Sequence, residues 1–150
     1  NGANDNASGV AAFLSLAEAV SSGDPERTFF FVAFSAQEYS QRGSLWYAGH
    51  PIIPFDQVSF VLALDRVGRF GLSAPLEVHG VGSGRGMGPV VQKSLSREAL
   101  KAELYSHAGL KNVYGDHSPF FRAGIPTLLL TAQPKINKNI IIEQKPLNQL

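Results

Sequence analysis

The chain has 150 residues, of which 44% are hydrophobic and 17% charged, with a formal net charge of +1 and no cysteine. A chain of this length makes one ordinary domain that buries roughly 68–70% of its unfolded surface, and its near-neutral charge lacks the basic excess of a nucleic-acid binder. Disulfides and thiolate metal sites are excluded, so any zinc must be held by His, Asp or Glu.

The chain opens without Met on the turn-like cluster Asn1-Gly2-Ala3-Asn4-Asp5, so a fragment is expected. Val10, Phe13, Leu14 and Ala17 then recur at the spacing of a helix that buries one face, with Ser8 as its cap and Ser21-Ser22-Gly23 as its stop. Thr28 to Phe34 is a continuous apolar run of strand length, which suits a strand covered on both faces. Ser44 to Ala48 predict a second helix, and Pro51 and Pro54 mark a loop. Val58 to Leu64 is the next buried strand. Leu76-Glu77-Val78-His79 alternates apolar with polar and reads as an edge or half-exposed strand, followed by the glycine-rich stretch Gly80 to Gly88. Pro89 to Leu104 reads as a third helix, and Thr127 to Thr131 as a last short strand. Strands separated by helices predict an α/β fold, a three-layer α/β/α sandwich around a mostly parallel mixed sheet. Residues 1–134 form this domain. Residues 135–150, where ten of sixteen positions are Lys, Asn or Ile, read as a linker or an edge strand. No run approaches the ~20 apolar residues of a membrane span, and no signal segment opens the chain.

Ligands of a parallel sheet gather outside the carboxyl ends of its strands. Glu38 follows the run Thr28 to Phe34, and Asp65 directly follows Val58 to Leu64. Asp5 precedes the first helix, and His117 precedes a short helical turn containing Pro119. Each has an ordinary structural explanation: Asp65 as a loop cap or a partner of Arg66 or Arg69, Asp5 as an Asx-turn residue, His117 as a cap or surface imidazole. Together, three carboxylates and an imidazole beside element ends form a donor set that zinc accepts. Other motifs fail. The stretch "GVGSGRGMG" has Arg85 where a dinucleotide fingerprint needs its third glycine, and no Walker lysine. There is no G-x-S-x-G elbow, so Ser118 beside His117 is a neighbour rather than a nucleophile.

The segments "GANDNASGVAAFLSLA", "RTFFFVAFSAQEYSQRGS", "FVLALDRVGR" and "YGDHSPFFRAGIPTLLL" resemble, in order, motifs of metallopeptidase family 28, the co-catalytic zinc aminopeptidases. The resemblance covers most of residues 2–134. It implies a site for two zinc ions: Asp5 as the bridging carboxylate, joined to Asn6 by a peptide that is cis in many members, Glu38 and His117 on one ion, and Asp65 on the other. Two dications roughly 3.5–4 Å apart repel, so anionic oxygen between and around them is what holds such a pair. The implied substrate is a peptide N-terminus. A secreted, periplasmic or membrane-anchored setting is implied by the resemblance alone.

Two departures qualify this expectation. The family's remaining ligand is a His upstream of the bridging Asp, which this chain starts too late to contain, so one zinc or none is expected here. His50, His79 and His107 lie outside the matching motifs and read as loop or surface residues. The second departure is Gln37, at the position of the family's general-base Glu. An amide has no basic site that titrates near neutral pH, so weak or absent hydrolysis is expected. A register shifted by one would make Glu38 the base but put Tyr39 at the ligand position. The alternatives are a non-catalytic binding homologue of the same fold and a glutaminyl cyclase-like acyltransferase, the latter weakened because its chemistry also uses the acid missing at Gln37.

Overall fold

The computed structural model describes residues 2–72, 74–106 and 114–133. His107 and the 135–150 segment therefore lie outside the described residues.

Among the described residues four strands form one sheet in the order β1-β4-β2-β3: β1 is Val61–Asp65, β2 Leu76–His79, β3 Ala102–Tyr105 and β4 Thr127–Thr131. The pairs β1/β4 and β2/β3 are parallel, and β2 runs antiparallel to β4. The described α-helices are α1 (Ser8–Ser21), α2 (Arg42–Gly49), α3 (Met87–Arg97) and α4 (Ser118–Arg122). Alternation along the strands puts Leu76, Val78 and Leu128 on one sheet face, where Met87, Val91 and Leu95 of α3 cover them. Val78 and Leu129 are almost wholly buried, and burying such a side chain contributes about 1.5–3 kcal/mol.

Several expectations need correction. β1 begins at Val61 rather than Val58 and includes Asp65, and Leu62 within it is exposed. β2 is an inner strand rather than an edge, because β3 pairs along its far side. The third helix stops at Arg97, and its predicted last residues are β3. Leu100 N–H donates to Leu95 O and Ala99 N–H to Ser96 O, with Ala99 at φ 52°, which is a Schellman stop made without the usual glycine. Ser8 is inside α1 rather than its cap, its Oγ donating to Asn4 O at 2.7 Å.

The apolar face of α1 is only partly covered, with Val10 and Leu14 exposed. Of the four strands, β1 is the one α1 packs against most. Likewise, Thr28 to Phe34 is neither a strand nor buried: no ladder joins it to another segment among the described residues, and Phe29, Phe30, Phe31 and Val32 are exposed. A strand exists only where a neighbour satisfies its backbone groups. The rings pack locally instead, Phe31 edge-on to Phe13 at 5.5 Å. Only the end of the run reaches the interior, where Phe34 meets Tyr47 and Phe120 at 5.6 and 5.8 Å. That aromatic anchor fixes the start of the turn carrying Gln37 and Glu38.

Candidate metal centre

Two sets of tethers position the predicted residues, one at the carboxyl end of β1 and one joining the Gln37 turn to the loop before α4. The first is built by Asn6. Its Nδ2 donates to Leu64 O at 3.0 Å, while its Oδ1 accepts from Arg66 N–H at 2.9 Å and Gly9 N–H at 3.1 Å. The turn Ala3–Ala7, in which the Asp5–Asn6 peptide is cis, is thereby held against the end of β1. Asp5 and Asp65 consequently share a cation. Arg66 Nη2 lies 2.8 Å from Asp65 Oδ2, and Arg66 Nη1 lies 3.7 Å from Asp5 Oδ2. The structural reading of Asp65 as a partner of Arg66 is thus realised, alongside its position at a strand end.

The second set ties the Gln37 turn to the loop before α4. Tyr114 Oη–H donates to Gln37 O at 3.4 Å, Gln41 Nε2 donates to Gly115 O, and Ser44 Oγ–H donates to Asp116 Oδ1 at 2.6 Å. Gln41 and Ser44 are buried, so their two bonds are largely shielded from water, whereas the Tyr114 bond is exposed. Ala36, Ser40 and Gln41 all take left-handed backbone conformations, φ 58°, 61° and 58°. None is glycine, and such residues cost of order 1–3 kcal/mol each unless the surroundings enforce them. Three around one dipeptide mark a tight turn, held by its own bonds from Gln41 N–H to Gln37 O at 2.8 Å and from Arg42 N–H to Ala36 O at 3.2 Å as well as by the contacts to the second loop.

Two glycines permit the close approach. A methyl at Gly43 would run into the Ser35 carbonyl oxygen, whereas one at Gly49 would meet nothing within 4 Å. Gly43→Ala is therefore expected to destabilise the fold by about 1–3 kcal/mol in urea unfolding, with Gly49→Ala close to neutral. A methyl at Gly115 would meet His117 Nδ1 at 3.0 Å and Gln37 Nε2 at 3.6 Å. The amide of Gln37 and the imidazole of His117 therefore lie against the same glycine. His117 is 1% exposed.

The electrostatics favour a cation. Burial pushes the Asp65 carboxyl above its ordinary pKa, Arg66 opposes this through charge and hydrogen bonding, and the charges of Asp5 and Asp116 add to the rise. Asp116 is likewise pushed up by burial, opposed by the Ser44 hydrogen bond. Asp65 thus feels two further carboxylates, Asp5 and Asp116, with the Arg66 guanidinium beside it. Asp65 Oδ1 is buried and accepts no hydrogen bond among the described residues, an anionic oxygen left with unused coordinating capacity. Glu38 is exposed and makes no hydrogen bond or ion pair with the described residues. Among the described residues no three Asp, Glu or His side chains already converge on one point. The fit to a divalent ion rests on donor type, the carboxylate excess and the bare Asp65 oxygen.

Sequence reasoning passed over Asp116, Gln41 and Ser44, and named Asn6 only for the peptide that joins it to Asp5. The signal for Asp116 was its place beside His117, and Gln41 and Ser44 carried none. It also misplaced His79, which is buried in β2 with Nε2 2.8 Å from Glu77 Oε2 and its ring stacked on Tyr105 at 4.4 Å. Alternation puts Glu77 and His79 on one face, and the register sets Tyr105 opposite His79. The Glu103 carboxylate that accepts from Tyr105 Oη–H pushes that phenol up to about 12. His50 is an exposed residue at the end of α2, its Nδ1 3.0 Å from Trp46 O. A surface depression lined by Ser83, Phe121 and Ile125 sits by the start of β4, the opposite end from Asp65.

Among the solved structures that resemble the chain is BSAP, a zinc aminopeptidase from Bacillus subtilis, with a TM-score of 0.75 and 22% identity over 93% of this chain and 34% of that one. An aminopeptidase from Aneurinibacillus sp. strain AM-1 has a TM-score of 0.70 and 27% identity over 89% of this chain and 31% of that one. The chain spans about a third of the length of these structures. No curated protein matches it by sequence. No described helix is long and apolar enough to cross a membrane. The fold is the mixed, mostly parallel sheet of the zinc aminopeptidases, and the model of Peptidase family M28 matches residues 1–144, so the chain belongs to Peptidase family M28.

Proposed function

We propose that this chain carries the zinc-binding core of an aminopeptidase-type peptide hydrolase whose proton-transfer residue is replaced, so that it binds a metal ion and a peptide N-terminus better than it cleaves the peptide. The observation that carries this reading is the Gln37 amide lying against Gly115 near the buried His117, which follows Asp116, a carboxylate whose charge Asp65 feels. Asp5, Glu38, Asp65 and His117 would hold zinc. Zinc, when bound, supplies Lewis acidity that polarises a peptide carbonyl and makes water a better nucleophile at neutral pH.

The chain's own residues set the rest. The carboxylate excess attracts an α-ammonium group as well as a metal, which favours a free N-terminus over an internal peptide. Gln37 can donate to or accept from a water beside His117 and hold it in place, but it cannot remove its proton. A binding role without turnover, the second reading, is favoured by that same amide.

Zinc titration by calorimetry tests the centre. Binding is expected, weakened at least about tenfold by Glu38→Ala or His117→Ala, as loss of one of few charged or imidazole ligands implies. Unchanged affinity in both variants would remove these residues from the centre.

A further inference from the structure

The residue that both Asp5 and Asp65 contact is Arg66, and its position is fixed from several directions. Its N–H donates to Asn6 Oδ1 at 2.9 Å, and its carbonyl accepts from Ala132 N–H at 3.2 Å. It adopts a left-handed conformation, φ 54°, which turns the chain sharply at the end of β1 and sends the side chain back toward Asp65. Nε and Nη2 donate to Asp65 Oδ2 at 3.2 and 2.8 Å, and Nη1 faces Asp5 Oδ2. With its amide oxygen turned toward the guanidinium, Gln133 accepts from the same Nε and Nη2 at 3.2 and 2.9 Å. The guanidinium is a permanent cation that does not titrate in the working range. It uses one oxygen of Asp65 and leaves Oδ1 bare.

We propose that Arg66 is a built-in counter-cation that takes the charge role of one of two metal ions, making this a centre that binds a single divalent ion. The inference rests on the reading of Asp5 and Asp65 as metal ligands. Its physical basis is charge balance. Two carboxylates already neutralised in part by a fixed guanidinium offer less attraction to a second dication, which must also approach a like charge in a partly buried site. The same pairing keeps the two carboxylates from repelling each other when no metal is bound.

The test compares the unmodified 150-residue chain with Arg66→Met, which keeps an unbranched side chain but removes the charge, and Arg66→Lys, which keeps the charge. Zinc is titrated by calorimetry, and the thermal midpoint is measured with chelator and with zinc. The unmodified chain and Arg66→Lys are expected to bind one zinc. Arg66→Met is expected to bind two, or one at least tenfold more tightly, and its midpoint is expected to fall with chelator and recover with zinc. Should Arg66→Met not fold, Arg66→Gln carries the same expectation. If Arg66→Met matches the unmodified chain in stoichiometry and affinity while binding still depends on Glu38 and His117, the counter-cation role is wrong and the metal centre stands. If none of the proteins binds zinc, the metal-centre reading falls and this inference with it.

Discussion

Replacing Gln37 with glutamate is expected to raise zinc-dependent hydrolysis of an amino-acid anilide by about 10²- to 10⁴-fold, the usual contribution of a positioned general base. The substitution changes one amide nitrogen to oxygen, so packing against Gly115 and beside His117 should survive. A carboxylate there would take a proton from water as it adds to the peptide carbonyl and return it to the leaving amine. Both transfers require a group that is basic and then acidic near neutral pH, and a side-chain amide is neither. The comparison should be made at saturating substrate, because an effect confined to KM would signal altered binding rather than restored proton transfer. If the unmodified chain already turns over at ordinary enzymatic rates, another residue moves the proton and Gln37 only positions water.

The second large effect is expected at Asn6. Truncation to alanine removes three hydrogen bonds at once and leaves Leu64 O and the N–H groups of Arg66 and Gly9 without that partner. A buried polar group left unsatisfied costs about 1–3 kcal/mol, and partial exposure here lets water recover some of it. The expected loss is about 2–4 kcal/mol, or a thermal midpoint lowered by about 5–15 °C for a domain of this size. Asn6→Asp should fall between, since it keeps an acceptor for the two N–H groups but cannot donate to Leu64 O and adds a negative charge near Asp5 and Asp65. Circular dichroism melts of the three proteins would show the order. A shift of less than about 2 °C in Asn6→Ala would mean that Asn6 does not hold the Asp5 turn against β1.

Local signals were enough to place α1, α2 and β4, although the apolar face read for α1 is only partly covered. It failed where a neighbour decides. β3 was hidden because Ala99 takes the left-handed stop position that glycine normally signals. β2 looked like an edge because Glu77 and His79 are polar, yet they pair with each other and are enclosed by β3 and β4. The Phe29 to Phe31 run has the composition of a covered strand, but composition alone cannot supply the strands that would cover it. Among the candidate site residues, Asp65 does lie at a strand end, Glu38 was assigned to the end of a strand that does not form, and Asp5, Gln37 and His117 rest on the resemblance of their motifs. Asn6, Gln41 and Ser44 were illegible because each acts on a residue 58 to 74 positions away.

Those long separations also bear on how firmly the site is held. The bonds from Gln41, Ser44 and Tyr114 each close a loop of 72 to 77 residues. Loop-closure entropy is charged mainly to the first contact, since later ones join segments already near each other. The Phe34–Phe120 contact joins the same two segments, so each of the three bonds costs little further entropy while that contact lasts. The left-handed residues around Gln37 also have local support, Gln41 N–H donating to Gln37 O and Arg42 N–H to Ala36 O. His117 and Gln37 keep their shared neighbour Gly115 only while the two segments stay joined.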